Sequence, residues 1–256
     1  MEHITVELIL LCMVAFTAGF VDAIVGGGGL IQLPAGLVLL PQYPVATVVG
    51  TLKIPAFSGT GIAAYQYSKK VKLHRFLPLM MILACIASFG GSFLLTQVSN
   101  NFMKPLLLGV LIIVAIYTYV NKKFGIHEEK EHSPRMELLY STLISTIIGF
   151  YDGFIGPGAG SFLILAFISI FGFDFLRASA HAKFVNLATN AGSIVLFALK
   201  GKMIYAIAFP MAVCNALGGW AGAKLAILKG NKFIRVFFLA VVTVTIIRFA
   251  YDVFFK

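Results

Sequence analysis

Charge is scarce in this sequence. Asp, Glu, Lys and Arg make up 12% of its 256 residues, while 59% are hydrophobic. Soluble domains carry about 25% charge, so a fold surrounded by water is excluded. Cysteine is sparse as well. Cys12, Cys85 and Cys214 stand singly in apolar stretches, an arrangement that offers neither a disulfide framework nor the spacing of a metal site. No nucleotide-binding motif is present, which argues against direct ATP use, and nothing calls for a cofactor. Long polar segments are also missing. The longest, "NKKFGIHEEKEHSPR", runs from Asn121 to Arg135. The net charge of +10 would suit a nucleic-acid partner, but the basic residues sit in short loops, where they orient membrane proteins. The start, "MEHITVELILLC", lacks a basic leader and an evident cleavage site, and reads as a retained first helix.

Long apolar runs are what the sequence does have. They cover roughly 5–25, 46–68, 76–98, 102–121, 136–156, 175–199, 203–228 and 232–254. Each matches the ~20 residues needed to cross a bilayer. Two shorter runs, 29–40 and 159–171, follow glycine-rich stretches. The expectation is an all-α integral membrane protein surrounded by lipid, with about eight long spans and two short broken or re-entrant helices. Multi-pass insertion in a bacterial-type cell membrane follows.

A shift of 130 positions brings parts of the sequence into register. Gly19 meets Gly149, Asp22 meets Asp152, Gly26 meets Gly156, Gly28 meets Gly158 and Lys53 meets Lys183. Two repeats are expected, 1–121 and 136–256, joined by a cytoplasmic linker at 122–135. Loops bearing Lys69, Lys70, Lys72, Arg75, Lys122, Lys123, Lys130, Arg135, Arg177, Lys229, Lys232 and Arg235 fall on one side. Lys104, Lys200, Lys202 and Lys256 fall on the other. The positive-inside rule places the first set in the cytoplasm and both termini outside. The repeats then have inverted topology, a recurring transporter design with the substrate at the repeat interface.

Four charges cannot easily reach a loop: Asp22, Lys53, Asp152 and Lys183. A charge at the bilayer centre costs about 2.5–3.5 kcal/mol on insertion scales and tends to face a cavity or a partner. Two readings follow for the lysines. Each pairs with the acid of its own repeat, or both face a shared cavity and bind an anion. Glycine permits unusual backbone angles, and a helix starting at mid-membrane exposes N–H groups and a positive dipole end. Gly26, Gly27, Gly28 and Gly29, with Gly156 and Gly158, are therefore candidate anion cradles. Close helix packing is the other use of such residues. Asp22 and Asp152 are candidates for proton or sodium coupling, or for holding the broken backbone's N–H groups. Gln32, Ser58, Thr60, Asn186 and Asn190 are candidate donors to an oxyanion. His181 reads as an interior histidine.

These residues carry a resemblance. The stretches "GFVDAIVGGGGLIQLP" and "GTLKIPAFSGTGIAAY", with "GFYDGFIGPGAGSFL" and "HAKFVNLATNAGSIVLF", resemble the sulfite exporter TauE/SafE family, also called the 4-toluene sulfonate uptake permease family. The resemblance implies a permease and not an enzyme. It implies small sulfur-containing anions such as sulfite, sulfoacetate and other organosulfonates, or related carboxylates, as cargo. It carries over to Gly26–Gly29, Lys53, Gly156, Gly158, Lys183, Asn186 and Asn190. Many members have a polar residue soon after the first lysine; here Pro55 and Ala56 stand there, which shifts the expected weight of binding to the second half. An anion channel is the alternative that uses the same residues. Homo-oligomerisation is left open.

Overall fold

In a computed structural model, the structure describes residues 2–99, 106 and 133–255, and among them every regular element is a helix. There are eight: α1 (Glu2–Val25), α2 (Gly28–Leu39), α3 (Val45–Ser68), α4 (Leu77–Gln97), α5 (Pro134–Phe154), α6 (Ala159–Phe171), α7 (Phe175–Leu199) and α8 (Tyr205–Phe255). Helices dominate because a segment in lipid must satisfy its own backbone hydrogen bonds.

Five helical segments among the described residues are long and apolar enough to cross a membrane: Val6–Val25, Val45–Ser68, Leu77–Gln97, Phe175–Leu199 and Tyr205–Ile234. The expectation of eight long spans is thus corrected. The run 102–121 lies outside the described residues except for residue 106, as does nearly all of the linker. The run 136–156 forms α5, but Glu137, Asp152 and the hydroxyls of Ser141, Thr142, Ser145 and Thr146 dilute its apolar character. The runs 203–228 and 232–254 are both helical within α8 (Tyr205–Phe255): two helices meet there at Gly230, whose non-helical backbone (φ 70°, ψ −166°) breaks the stretch between them.

The two short helices begin at 28 and 159. At about 1.5 Å per residue, the 12 residues of α2 and the 13 of α6 rise roughly 18–20 Å. That is well short of the ~30 Å hydrocarbon core. α2 packs on α1 and α3; α6 packs on α5 and α7. Each therefore folds back as the second arm of a hairpin. Across the fold, α1 and α3 pack on α8, and α4 packs on α5 and α7.

The connections divide between two ends of the helices. At one end the 69–76 loop locks onto the second half. His74 donates its backbone N–H to His181 Nε2 (2.8 Å), Arg75 Nη2 bonds Glu137 Oε2 (2.6 Å), and Leu176 N–H reaches Asn231 Oδ1 (2.8 Å). Burial holds the His74 imidazole below its ordinary pKa, outweighing the opposite pull of Glu137. At the other end Ile204 N–H bonds Thr51 Oγ1 (2.9 Å).

Small residues let the helices cross closely. A Cβ on Gly91 would overlap the backbone of Phe150, and one on Gly218 or Gly222 would overlap that of Phe16 or Phe20. Gly90, one residue away, has open space around it. Gly90→Ala is expected to raise thermal stability slightly, by about 1 kcal/mol at most, because alanine is the better helix former. Gly91→Ala is expected to lower it by about 1–3 kcal/mol through overpacking. Melting of both variants in detergent checks this; equal melting temperatures refute the α4–α5 packing.

Candidate functional site

The site starts from the two breaks. Gly26 (φ 76°), Gly156 (φ 94°) and Gly158 (φ 82°) adopt left-handed backbone that side chains disfavour. These angles end α1 and α5 and redirect the chain into the short helices. The breaks meet each other: a Cβ on Gly26 would overlap Gly160, and one on Gly160 would lie 2.6 Å from the Gly26 carbonyl oxygen. Ser161 Oγ donates to Val25 O across the same contact (2.9 Å). Packing and cavity formation are thus the same feature. Among the described residues, neither short helix has a side-chain N-cap bond. Leu30 N–H bonds Gly27 O (3.1 Å) and Ala159 N–H bonds Gly156 O (3.2 Å); the first N–H groups of a helix otherwise have no partner within it.

Around this crossing lies a cavity of about 80 Å³. One water needs about 10–15 Å³ by the same measure, so the space suits several waters or one small polyatomic ion. Both halves supply its wall. Asp22, Gly26, Gly28, Gly29, Gln32 and Lys53 come from the first; Asp152, Gly156, Gly158, Asn186 and Asn190 come from the second. Thr60 and Asn215 complete the polar lining. Because Gly28, Gly29 and Gly158 stand at the starts of α2 and α6, the positive ends of both helices border the cavity.

Each lysine is the ninth residue of its helix, about 12 Å from the helix start and beyond easy snorkelling. Of the two readings for the lysines, own-repeat pairing is replaced by pairing across the halves. Lys53 Nζ lies 3.1 Å from Asp152 Oδ1 and donates to the Asp152 carbonyl at 2.8 Å. Lys183 Nζ lies 2.8 Å from Asp22 Oδ2. The reason is packing. α3 and α7 lie side by side, and the crossing of the breaks brings each acid to the other half's lysine. Lys53 borders the cavity; Lys183 is fully buried behind Asp22.

Neutral side chains hold the acids. Thr189 Oγ1 and Asn186 Nδ2 (3.4 Å) donate to Asp152 Oδ2. Thr60 Oγ1 donates to Asp22 Oδ2 (3.2 Å). Asn190 Nδ2 donates to Asn186 Oδ1 (3.2 Å). Gln32 Nε2 donates to Leu52 O (3.2 Å), and its Oε1 accepts from Asn215 Nδ2 (3.0 Å).

Three candidates stand apart from the lining: Gly27, Ser58 and Lys183. Ser58 Oγ bonds Pro55 O (2.8 Å) and Ala212 O (2.7 Å), so it ties α3 to α8. Gly28 borders the cavity, yet its missing Cβ points at Ala18 O and Asp22 Cβ, so α1 packing also needs it small. Asn215 and Thr189 were not among the sequence candidates. The visible signal for Asn215 was a lone amide in an apolar span. For Thr189 it was its place three residues after Asn186.

A bundle of long apolar helices enclosing a charged cavity between two broken segments is the architecture of a multi-pass membrane transporter. The chain belongs to the sulfite exporter TauE/SafE family, whose description matches residues 11–249. It is 34% identical over 247 residues to "Probable membrane transporter protein ORF9" of Sinorhizobium sp., covering 96% of this chain and 93% of that protein. It is 36% identical over 243 residues to "Probable membrane transporter protein YfcA" of Escherichia coli strain K12, covering 94% and 89%. It is 35% identical over 229 residues to a "Probable membrane transporter protein" of Haemophilus influenzae, covering 89% and 88%. The family and these relatives are transporters, not enzymes. No solved structure matches the chain.

Losing one partner of a buried pair leaves an uncompensated charge, so Lys53→Met alone is expected to destabilise the protein by about 3–5 kcal/mol. Adding Asp152→Asn should recover much of that loss, whereas adding Asp22→Asn should not. A double-mutant cycle on detergent melting measures the coupling, expected at about 0.5–3 kcal/mol for the cross-half pair. Coupling only to Asp22 would refute the crossed pairing.

Proposed function

We propose that the protein is a secondary transporter of small sulfur-containing anions, such as sulfite, sulfoacetate or other organosulfonates, and that the cavity at the glycine breaks is its binding site. The observation that carries this reading is the convergence of Lys53 and two helix N-termini on one small cavity. Positive helix ends and an ammonium together favour an anion. Asn186, Asn190, Gln32 and Asn215 add amide donors suited to oxyanion oxygens. The family description gives sulfur oxyanions their priority.

In this reading the chain is two inverted repeats, 1–121 and 136–256, with the site at their interface. The loop end bearing Lys69, Lys70, Lys72, Arg75 and Arg177 faces the cytoplasm by the positive-inside rule, and both termini lie outside. In the cell membrane, the helix pairs α1–α2 and α5–α6 then enter from opposite sides.

The test is a binding screen of purified protein against sulfite, sulfate, sulfoacetate, taurine and simple carboxylates. Sulfur oxyanions are expected to bind, and Lys53→Ala to weaken them about ten- to a hundredfold, by loss of a charge-assisted bond worth about 1.5–3 kcal/mol. Wild-type affinity in folded Lys53→Ala removes the lysine from the site, and binding of carboxylates alone replaces the substrate class. Trans-stimulated counterflow in proteoliposomes is expected for a carrier; its absence would indicate a channel.

Orientation has a separate check. On a cysteine-free background, Lys70→Cys is expected to resist impermeant thiol reagents added to intact cells. Labelling from outside overturns the assignment.

A further inference from the structure

We propose that the cavity takes up one proton with each monoanion, and that Asp22 receives it. This rests on the anion-transport reading above. Lys53 and Lys183 are not idle cations, since each is already neutralised by a carboxylate across the halves. The charged groups of the site therefore sum to zero: the lysines of α3 and α7 against the acids of α1 and α5. From α2 and α8 the polar lining residues are Gln32 and Asn215, and α6 contributes glycine; none of these titrates. Two phenols lie near. Tyr67 OH on α3 donates to Ala23 O (3.0 Å), and Tyr151 OH on α5 donates to Pro157 O (2.6 Å). Both are committed to the backbone.

An anion entering this neutral, largely desolvated space brings a charge with no counter-charge, which is costly. A proton on one carboxylate removes that cost without moving the backbone. The carboxylic acid is neutral, so the site gains one net positive charge to set against the anion's. Asp22 is the acid in position to do this. Its side chain is 17% exposed, against 5% for Asp152. Asp152 receives donors on both oxygens, Lys53 on Oδ1 and Asn186 and Thr189 on Oδ2, so both are already engaged. Among the described residues the side-chain donors to Asp22, Lys183 and Thr60, both fall on Oδ2, which leaves Oδ1 to take a proton. The step is a proton transfer from hydronium to Asp22 Oδ1. No bond to the anion forms or breaks, and the proton returns to water when the anion leaves.

Proton uptake is measured with purified wild-type protein in weak buffer containing a pH indicator, on adding methanesulfonate or benzenesulfonate, monoanions over the whole working range; sulfite and sulfoacetate, which carry a second charge near neutral pH, are scored for binding alone. Sulfonate groups keep their charge over the working range, and the titration of each anion alone is subtracted. The expected result is about one proton per bound monoanion, with affinity falling about tenfold per pH unit wherever binding takes up that proton, by linkage. Asp22→Asn should bind with no proton uptake and no pH slope. Asp22→Glu should restore both, and Asp152→Asn should keep the slope. Binding of either monoanion by wild type without proton uptake overturns the proposal and leaves the transporter reading intact. A slope that survives Asp22→Asn overturns the assignment to Asp22. If Asp22→Asn does not fold, the wild-type stoichiometry decides. Failure of every anion to bind at every pH overturns the transport reading, and this proposal with it.

Discussion

A lysine buried within a membrane helix needs a counter-charge, and the fold is organised around supplying two. Lys53 and Lys183 each sit about two turns into a long helix, too deep to escape easily. Each finds its carboxylate on the opposite half of the chain. Separating the halves would strand four charges at once. The cross-half pairs therefore hold the two halves in register, and they do so where the chain is otherwise weakest, at the glycine breaks.

The breaks and the ion pairs require one another. A side chain at Gly26 would overlap Gly160, so only glycine lets the two broken segments approach. Without that approach, Asp22 and Asp152 would end their helices far from α7 and α3. The same crossing leaves a small space that the side chains do not fill, bordered by helix starts, amides and Lys53. Irregular backbone at membrane depth is tolerated where it lines such a space or is buried in protein. Here it does both. The glycines thus serve packing and cavity together, and the two roles read from the sequence as rivals are compatible.

A neutral charge balance changes how an anion site of this kind works. Free lysines would hold an anion tightly and release it slowly. Lysines already paired with carboxylates offer a site whose attraction depends on what happens to those carboxylates. Under the proposed proton uptake, affinity follows protonation, and the ion pairs re-form when the anion leaves. This is the behaviour a carrier needs, since it must release what it binds.

Much of this was legible in the sequence. The apolar runs marked α1, α3, α4 and α7 closely, because helix length and membrane thickness are tied by geometry. The recurrence of acid, glycine run and lysine at a spacing of 130 singled out Asp22, Lys53, Asp152 and Lys183. Charges so costly in lipid stand out by composition alone. Other features depended on contacts between distant segments. Asn215 and Thr189 carry no periodic signal, and their roles come from facing Gln32 and Asp152. Ser58 looked like a donor to the site, but α8 turned it towards Ala212 O. The runs 203–228 and 232–254 meet without a loop because Gly230, in left-handed backbone, turns the chain within one residue. The partner of each lysine was beyond any spacing rule. For both lysines the acid of the same repeat is the nearer in sequence, and only the crossing of the two breaks brings the farther one into contact.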